Sequence, residues 1–228
     1  MLKEIDIRDI PEDMHEFLGD PYTILEAKYT YIAIHTDPDP WCPREDGDYH
    51  LGRMICFHRK YSLGDEAERE HEKDSTEFYE WMQEHARKKD IVWLPLYLYD
   101  HSGVTMHYAD TYPYNDYWDS GLVGYIYCTL DDIRANYCIK RVTKEYRERA
   151  LSVLKGEVEE YDCYLRGDSY AFDQICKTCG DEIDSCAGFL GDDWELNGLT
   201  GAVYENARCE YCEHQEISAW RETLAVRE

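Results

Sequence analysis

The chain has 228 residues and a formal net charge of −25, from 49 Asp and Glu against 24 Lys and Arg. That length holds one substantial core, or a core and a small satellite, and an aromatic share of 14% argues against general disorder. The charge disfavours a bare nucleic-acid binder, whose phosphate contacts need a basic footprint, and no apolar run approaches the ~20 residues of a membrane span.

Residues 1–20 mix acids with Ile5, Ile7, Ile10 and Phe17 and read as a short strand or arm followed by a turn. The segment 22-YTILEAKYTYIAIHT-36 is rich in β-branched and aromatic residues and predicts one or two strands. A proline-rich loop, 37-DPDPWCPREDGD-48, leads to a further strand in 50-HLGRMICFHRKY-61. Residues 65–74 are almost wholly charged and read as an exposed loop or a frayed helix. Asp74 and Glu77 then suit a capping box. Phe78, Trp81, Met82, His85 and Ala86 fall on one face of the helix that follows.

The run 91-IVWLPLYLYD-100 predicts a buried strand, with Pro95 marking an edge or bulge. A loop over 107–121 separates it from a partner strand, 122-LVGYIYCT-129. Thr129 and Asp132 form a second capping box, opening a short helix to about Tyr137. Thr143 caps a longer helix to about Leu165, with Leu151, Leu154, Val158, Tyr161 and Leu165 on its inner stripe. After Gly167-Asp168 paired cysteines and glycines dominate, and a last helix is expected over about 213–226. The expected fold is α+β: a mixed or antiparallel sheet packed with two to three helices, plus a small C-terminal zinc-ribbon-like lobe. The boundary is placed between a core domain, 1–168, and a zinc-stapled lobe with its helix, 169–228.

The opening MLKEIDIRDIPEDM lacks the apolar centre of a signal peptide. A reducing cytoplasm is therefore expected, where ten Cys read as thiols and metal ligands. Cys176/Cys179 and Cys209/Cys212 form two Cys-x-x-Cys turns separated by 29 residues. Each turn places two sulfurs on one side of a tetrahedral ion, so the set predicts a structural Zn²⁺. The stretch between them is expected to form a hairpin, and it has too few apolar groups to order itself without ligation. Gly180 suits a knuckle turn. Cys186 and His214 are possible substitute ligands. Four thiolates leave no open position for a catalytic water, so the ion reads as a staple. Cys56, Cys128 and Cys138 sit among apolar neighbours and read as small core residues.

A second polar set comprises His58, Asp65, Asp100, His101, Ser102, Asp119 and Ser120, at or near predicted strand ends. If those ends meet, His58, Asp100, His101 and Asp119 supply acid, base and metal-binding groups for a hydrolase or nuclease-like activity. The competing reading is that Asp, Ser and Gly here bond their own turns. Phosphate-binding loops, HExxH and GxSxG are absent from the sequence.

The blocks 51-LGRMICFHRKYSLGD-65, 94-LPLYLYDHSGVTM-106, 119-DSGLVGYIY-127, 155-KGEVEEYDCYLRGD-168 and 184-DSCAGFLGD-192 resemble a widespread family of small proteins encoded by bacteriophages, prophages and related mobile elements. The resemblance implies a prokaryotic cytoplasm and accessory duty during infection, and it assigns no catalytic residues. The leading expectation is a non-enzymatic acidic protein that binds a host or viral protein. A nucleic-acid-binding defence complex, engaged by imitation of DNA charge, is the natural partner class. The His/Asp hydrolase and a virion assembly factor are the alternatives.

Overall fold

The computed structural model describes residues 2–45, 50–65, 75–109 and 118–213. The chain divides into two compact units, Met1–Trp41 with Asp168–Glu228, and Cys42–Gly167. This differs from the boundary expected at 168, because the first 41 residues belong with the last 61. The cause is a strand pairing. Strand β3 (Thr30–Thr36) lies antiparallel to β8 (Ser169–Cys176), from Thr30 opposite Cys176 to Thr36 opposite Tyr170.

The first unit is built on a five-stranded antiparallel sheet. Its elements are β1 (Lys3–Ile5), β2 (Thr23–Glu26), β3, β8 and β9 (Glu182–Leu190), in that spatial order. The first five residues of β3 are all buried, as expected for a strand covered on both faces. Ile32 and Ile34 pack with Leu25, Phe172, Leu199 and Val203 on one face. Tyr31 and Ala33 pack with Ile10, Met14, Leu18 and Ile175 on the other. A short helix α1 (His15–Leu18) supplies Leu18 to the second of these cores. At the sheet edge, β9 carries two register shifts against β8, and its Asp184 carboxylate accepts a bond from the Ser185 amide at 3.0 Å. Bulges and charges of this kind protect an edge from pairing with other chains.

The second unit holds a four-stranded antiparallel sheet in the order β4 (Arg53–Cys56), β7 (Ser120–Thr129), β5 (Ile91–Asp100), β6 (Val104–Tyr108). Helix α2 (Ser75–Lys88) lays Phe78 and Met82 against Ile55, Ile91 and Tyr127 on one face. The predicted stripe of α2 is therefore its buried face, while Asp74, its expected cap, lies outside the described residues. Thr129 caps α3 (Leu130–Asn136) through the predicted capping box. Helix α4 (Lys144–Arg166) covers the opposite face, burying Leu154, Val158 and Tyr161 against Leu94, Leu96 and Ile126.

Pro95 sits where β5 is locally an edge. Pairing of β5 with β6 begins at Leu96 opposite Tyr108, and the register against β7 shifts between Leu96 and Tyr97. Gly124 of β7 faces β4 so closely that a Cβ there would lie 1.9 Å from the Ile55 carbonyl oxygen. Any side chain at that position would force the two strands apart.

The α+β class is as expected, with two antiparallel sheets in place of one. Residues 169–176 and 182–190, read from sequence as a ligand-ordered lobe, are strands of the first sheet. Among the described residues no helix is long and apolar enough to cross a membrane.

Candidate metal centre

The hairpin of β8 and β9 turns at the first Cys-x-x-Cys. Cys176 ends β8, its amide donates to the Asp181 carbonyl at 2.9 Å, and Gly180 donates to the Cys176 carbonyl at 3.0 Å. Gly180 has φ +78°, a left-handed conformation that glycine adopts without steric cost. The second pair, Cys209 and Cys212, begins a helical turn in which Glu213 donates to the Cys209 carbonyl at 3.0 Å.

The four sulfurs lie within 4.8 Å of one another. Across the two turns, Cys179 and Cys209 are 3.6 Å apart and Cys176 and Cys212 are 3.9 Å apart. All ten cysteines are free thiols. The donor set can hold a metal ion, and backbone amides of the first turn face its sulfurs. The Thr178 amide donates to Cys176 Sγ at 3.4 Å, joined by the Cys179 amide, and the Asp181 amide donates to Cys179 Sγ.

Burial pushes the Cys176 thiol up, but the Thr178 and Cys179 amides and the neighbouring thiols outweigh it and lower its pKa overall. Burial pushes Cys179 up, and its sulfur neighbours reinforce the shift. Four thiols this close cannot all ionise without a cation among them, so ion binding must expel protons. The first knuckle is sterically demanding as well. A Cβ on Gly180 would lie 2.5 Å from Cγ of Phe17. Gly180→Ala is expected to cost at least about 1–2 kcal/mol for the left-handed backbone alone, read as a shift in the urea midpoint of the first unit.

Polar contacts fasten the second knuckle independently of any ion. The buried Gln174 amide donates to Thr30 Oγ1 at 2.9 Å and to the Tyr204 carbonyl at 2.9 Å. Arg208, next to Cys209, lies 4.2 Å from the Tyr29 ring centroid and donates to its hydroxyl at 2.7 Å.

The stretch between the pairs holds β9 and the short helix α5 (Leu199–Ala202) rather than a hairpin of its own. Its Phe189, Trp194, Leu199 and Val203 join the first unit's core, so burial contributes to its ordering. Cys186 is exposed on β9 and stands apart from the four-sulfur cluster. His214 and the expected last helix after Glu213 lie outside the described residues. Cys56 and Cys128 are buried as expected. Cys138 is exposed, because the chain leaves α3 there through a turn with φ +52°.

Of the His/Asp set, His101 and Asp119 pair at the surface of the second unit. Nδ1 of His101 and Oδ2 of Asp119 are 3.1 Å apart, with the side chains 62% and 41% exposed. The Asp100 amide donates to the Asp119 carbonyl at 2.7 Å, and the Tyr61 hydroxyl donates to Asp100 at 3.1 Å. His58 stacks on Tyr61 at 5.1 Å. Its Nδ1 accepts from the Tyr61 amide at 3.2 Å and the Lys60 amide at 3.4 Å. That places His58 in a turn-stabilising role.

Asp65, grouped with that set in the sequence, is elsewhere. It is buried in an ion network that the sequence reading missed. Arg44, with a side chain 1% exposed, donates to Asp65 at 2.7 and 2.8 Å, to Glu157 at 3.2 Å and to the Gly52 carbonyl at 2.8 Å. Backbone amides complete it: Leu51 and Gly52 donate to Glu157, and Met54 donates to Asp65. The network floors a cavity of about 1300 Å³ that is also lined by Arg53, Asp132, Tyr61 and Tyr161. Arg53 is itself paired to Asp132 at 2.9 Å. No protein-family model, curated protein or solved structure matches the chain.

Proposed function

We propose that the protein is a non-enzymatic, acidic interaction protein whose C-terminal segment is fixed by one structural zinc ion on Cys176, Cys179, Cys209 and Cys212. The observation that carries this reading is the four-sulfur cluster, with all four atoms within 4.8 Å. Four thiolates in a tetrahedron suit zinc and fill its shell, so the ion supplies folding free energy and has no vacant position for chemistry.

The working surface is then the protein's negative exterior. Residues 181–216 hold ten Asp and Glu against one Arg. A surface of that sign attracts basic partners over long range, and proteins that bind nucleic acid carry such basic surfaces. The partner class is a host or viral nucleic-acid-binding protein, consistent with accessory duty in a mobile element.

The expected result is capture of a basic, nucleic-acid-binding protein by the immobilised full chain at low salt. Capture should fall steeply as ionic strength rises and the Debye length shrinks from about 10 Å at 0.1 M towards 3 Å at 1 M. Excess duplex DNA should compete. Binding that is indifferent to salt and to DNA overturns the reading.

The His101–Asp119 contact favours a second reading, a His/Asp hydrolase, because a carboxylate on Nδ1 orients an imidazole that is largely exposed. Its check is hydrolysis of nucleic-acid and ester substrates that is lost in His101→Ala.

A further inference from the structure

Phe17 has a place in the metal centre that its position in the sequence does not suggest. It lies on α1, beside Leu18, which is 1% exposed and anchors that helix in the core. Phe17 itself is 42% exposed. The inner side of its ring rests on the first knuckle: Cγ, Cδ1 and Cδ2 lie 2.5, 2.6 and 2.6 Å from where a Gly180 Cβ would stand. Three ring atoms at nearly equal distance describe a ring seated on the glycine, and only the missing side chain makes room for it.

The peptide beneath that ring belongs to the sulfur-binding turn. Gly180 donates to the Cys176 carbonyl, and the next amide, Asp181, donates to Cys179 Sγ. Cys179 is half-exposed, so water competes for that amide and for the sulfur. An apolar cover over the turn removes the competitor, and the shell around a metal site governs solvent access to it.

We propose that the Phe17 ring is a lid on the first knuckle, which controls how fast the bound ion and the Cys179 thiolate exchange with solvent. This rests on the metal reading above. Phe17 acts through the turn and is a positioning residue, with no contact to the ion required of it. Leu18 and Met14 hold α1 without it, so its removal leaves the core intact.

The test compares wild type, Phe17→Ala and Phe17→Leu as full chains loaded with zinc. Native mass spectrometry gives the stoichiometry, and a chromophoric chelator gives the rate of metal transfer. Phe17→Ala is expected to bind one ion and to release it on the order of 10-fold faster, the scale of outer-shell effects. Phe17→Leu keeps an apolar cover and most of the protection. Equal release rates in all three overturn the lid. If no ion is bound by any of the three, the metal reading fails. The lid is then decided on the metal-free chains by the alkylation rate of Cys179 with iodoacetamide, mapped by peptide mass. Faster alkylation in Phe17→Ala supports the lid, and an unchanged rate overturns it.

Discussion

Cys179→Ser and Cys209→Ser are each expected to abolish stoichiometric zinc binding and to lower the melting transition of the first unit by about 16–32 °C. The size follows from linkage. An ion present at about 1,000 times its dissociation constant stabilises the folded state by about 4 kcal/mol, and each kcal/mol moves the transition by about 4–8 °C in a unit of roughly 100 residues. All four sulfurs lie in the unit formed by the two ends of the chain. The transition of residues 42–167, which has its own core, should stay where it is.

Limited proteolysis should localise the damage. Gln174 still holds the Tyr204 carbonyl and Tyr29 still holds Arg208, so cleavage in the mutants should begin beyond Arg208 and spare β9. Binding should also weaken on acidification, because the ligands must lose protons to bind the ion. A calorimetric scan in which the mutants and wild type superimpose in the presence of zinc would contradict the staple.

The largest effect in the second unit is expected at Arg44. Arg44→Met should destabilise that unit by about 3–5 kcal/mol, the cost of breaking a buried ion pair by removing one partner. The reason is the company it leaves behind. Asp65 and Glu157 are both nearly inaccessible, and without the guanidinium two buried carboxylates are left with no cation between them. Arg44→Lys should rescue little. One ammonium cannot reproduce a planar fork that meets two carboxylates and a carbonyl at once.

Replacing all three charges with apolar groups should not restore stability either. Such swaps are often neutral for isolated triads, but here the amides of Leu51, Gly52 and Met54 would lose their acceptors, and each orphaned buried amide costs about 1–3 kcal/mol. Urea denaturation of the three variants decides it. A loss below about 1 kcal/mol for Arg44→Met would mean that the pair is solvated and the network unimportant.

What was legible in the sequence was local. The capping box at Thr129 and Asp132, the apolar stripes of α2 and α4, and the knuckle glycine at 180 all declare themselves within a few residues, because their partners lie a turn away. Strand β8 was hidden by Asp173 and Gln174. The Gln174 amide is buried only because Thr30 and Tyr204 receive it, and neither lies nearby in the chain. Strand β6 was not foreseen, and its last two residues fell in the loop expected over 107–121, since Val104–Tyr108 is short and flanked by turn residues.

Arg44 was unremarkable in a proline-rich loop, and nothing nearby points to its partners. Glu157 did carry a signal. It falls on the inner side of α4 between Leu154 and Tyr161, where periodicity demands an apolar residue, and a carboxylate at such a position implies a buried cation somewhere in the fold. In the His/Asp set, adjacency of strand ends was foreseeable, whereas the commitment of the His58 Nδ1 to the amides of its own turn depends on the backbone path after it.

The pairing of β3 with β8 also dictates an order of events during synthesis. Thr36 leaves the ribosome 133 residues before its neighbour's strand begins at Ser169. At about 5–20 residues per second, the β2–β3 hairpin waits roughly 7–27 s for its missing strand. The intervening 42–167 segment is contiguous and can close its own core meanwhile. Residues made before the 42–167 segment are therefore among the last to be secured, and during that interval strand Thr30–Thr36 stands open to chaperones or to another nascent copy of itself.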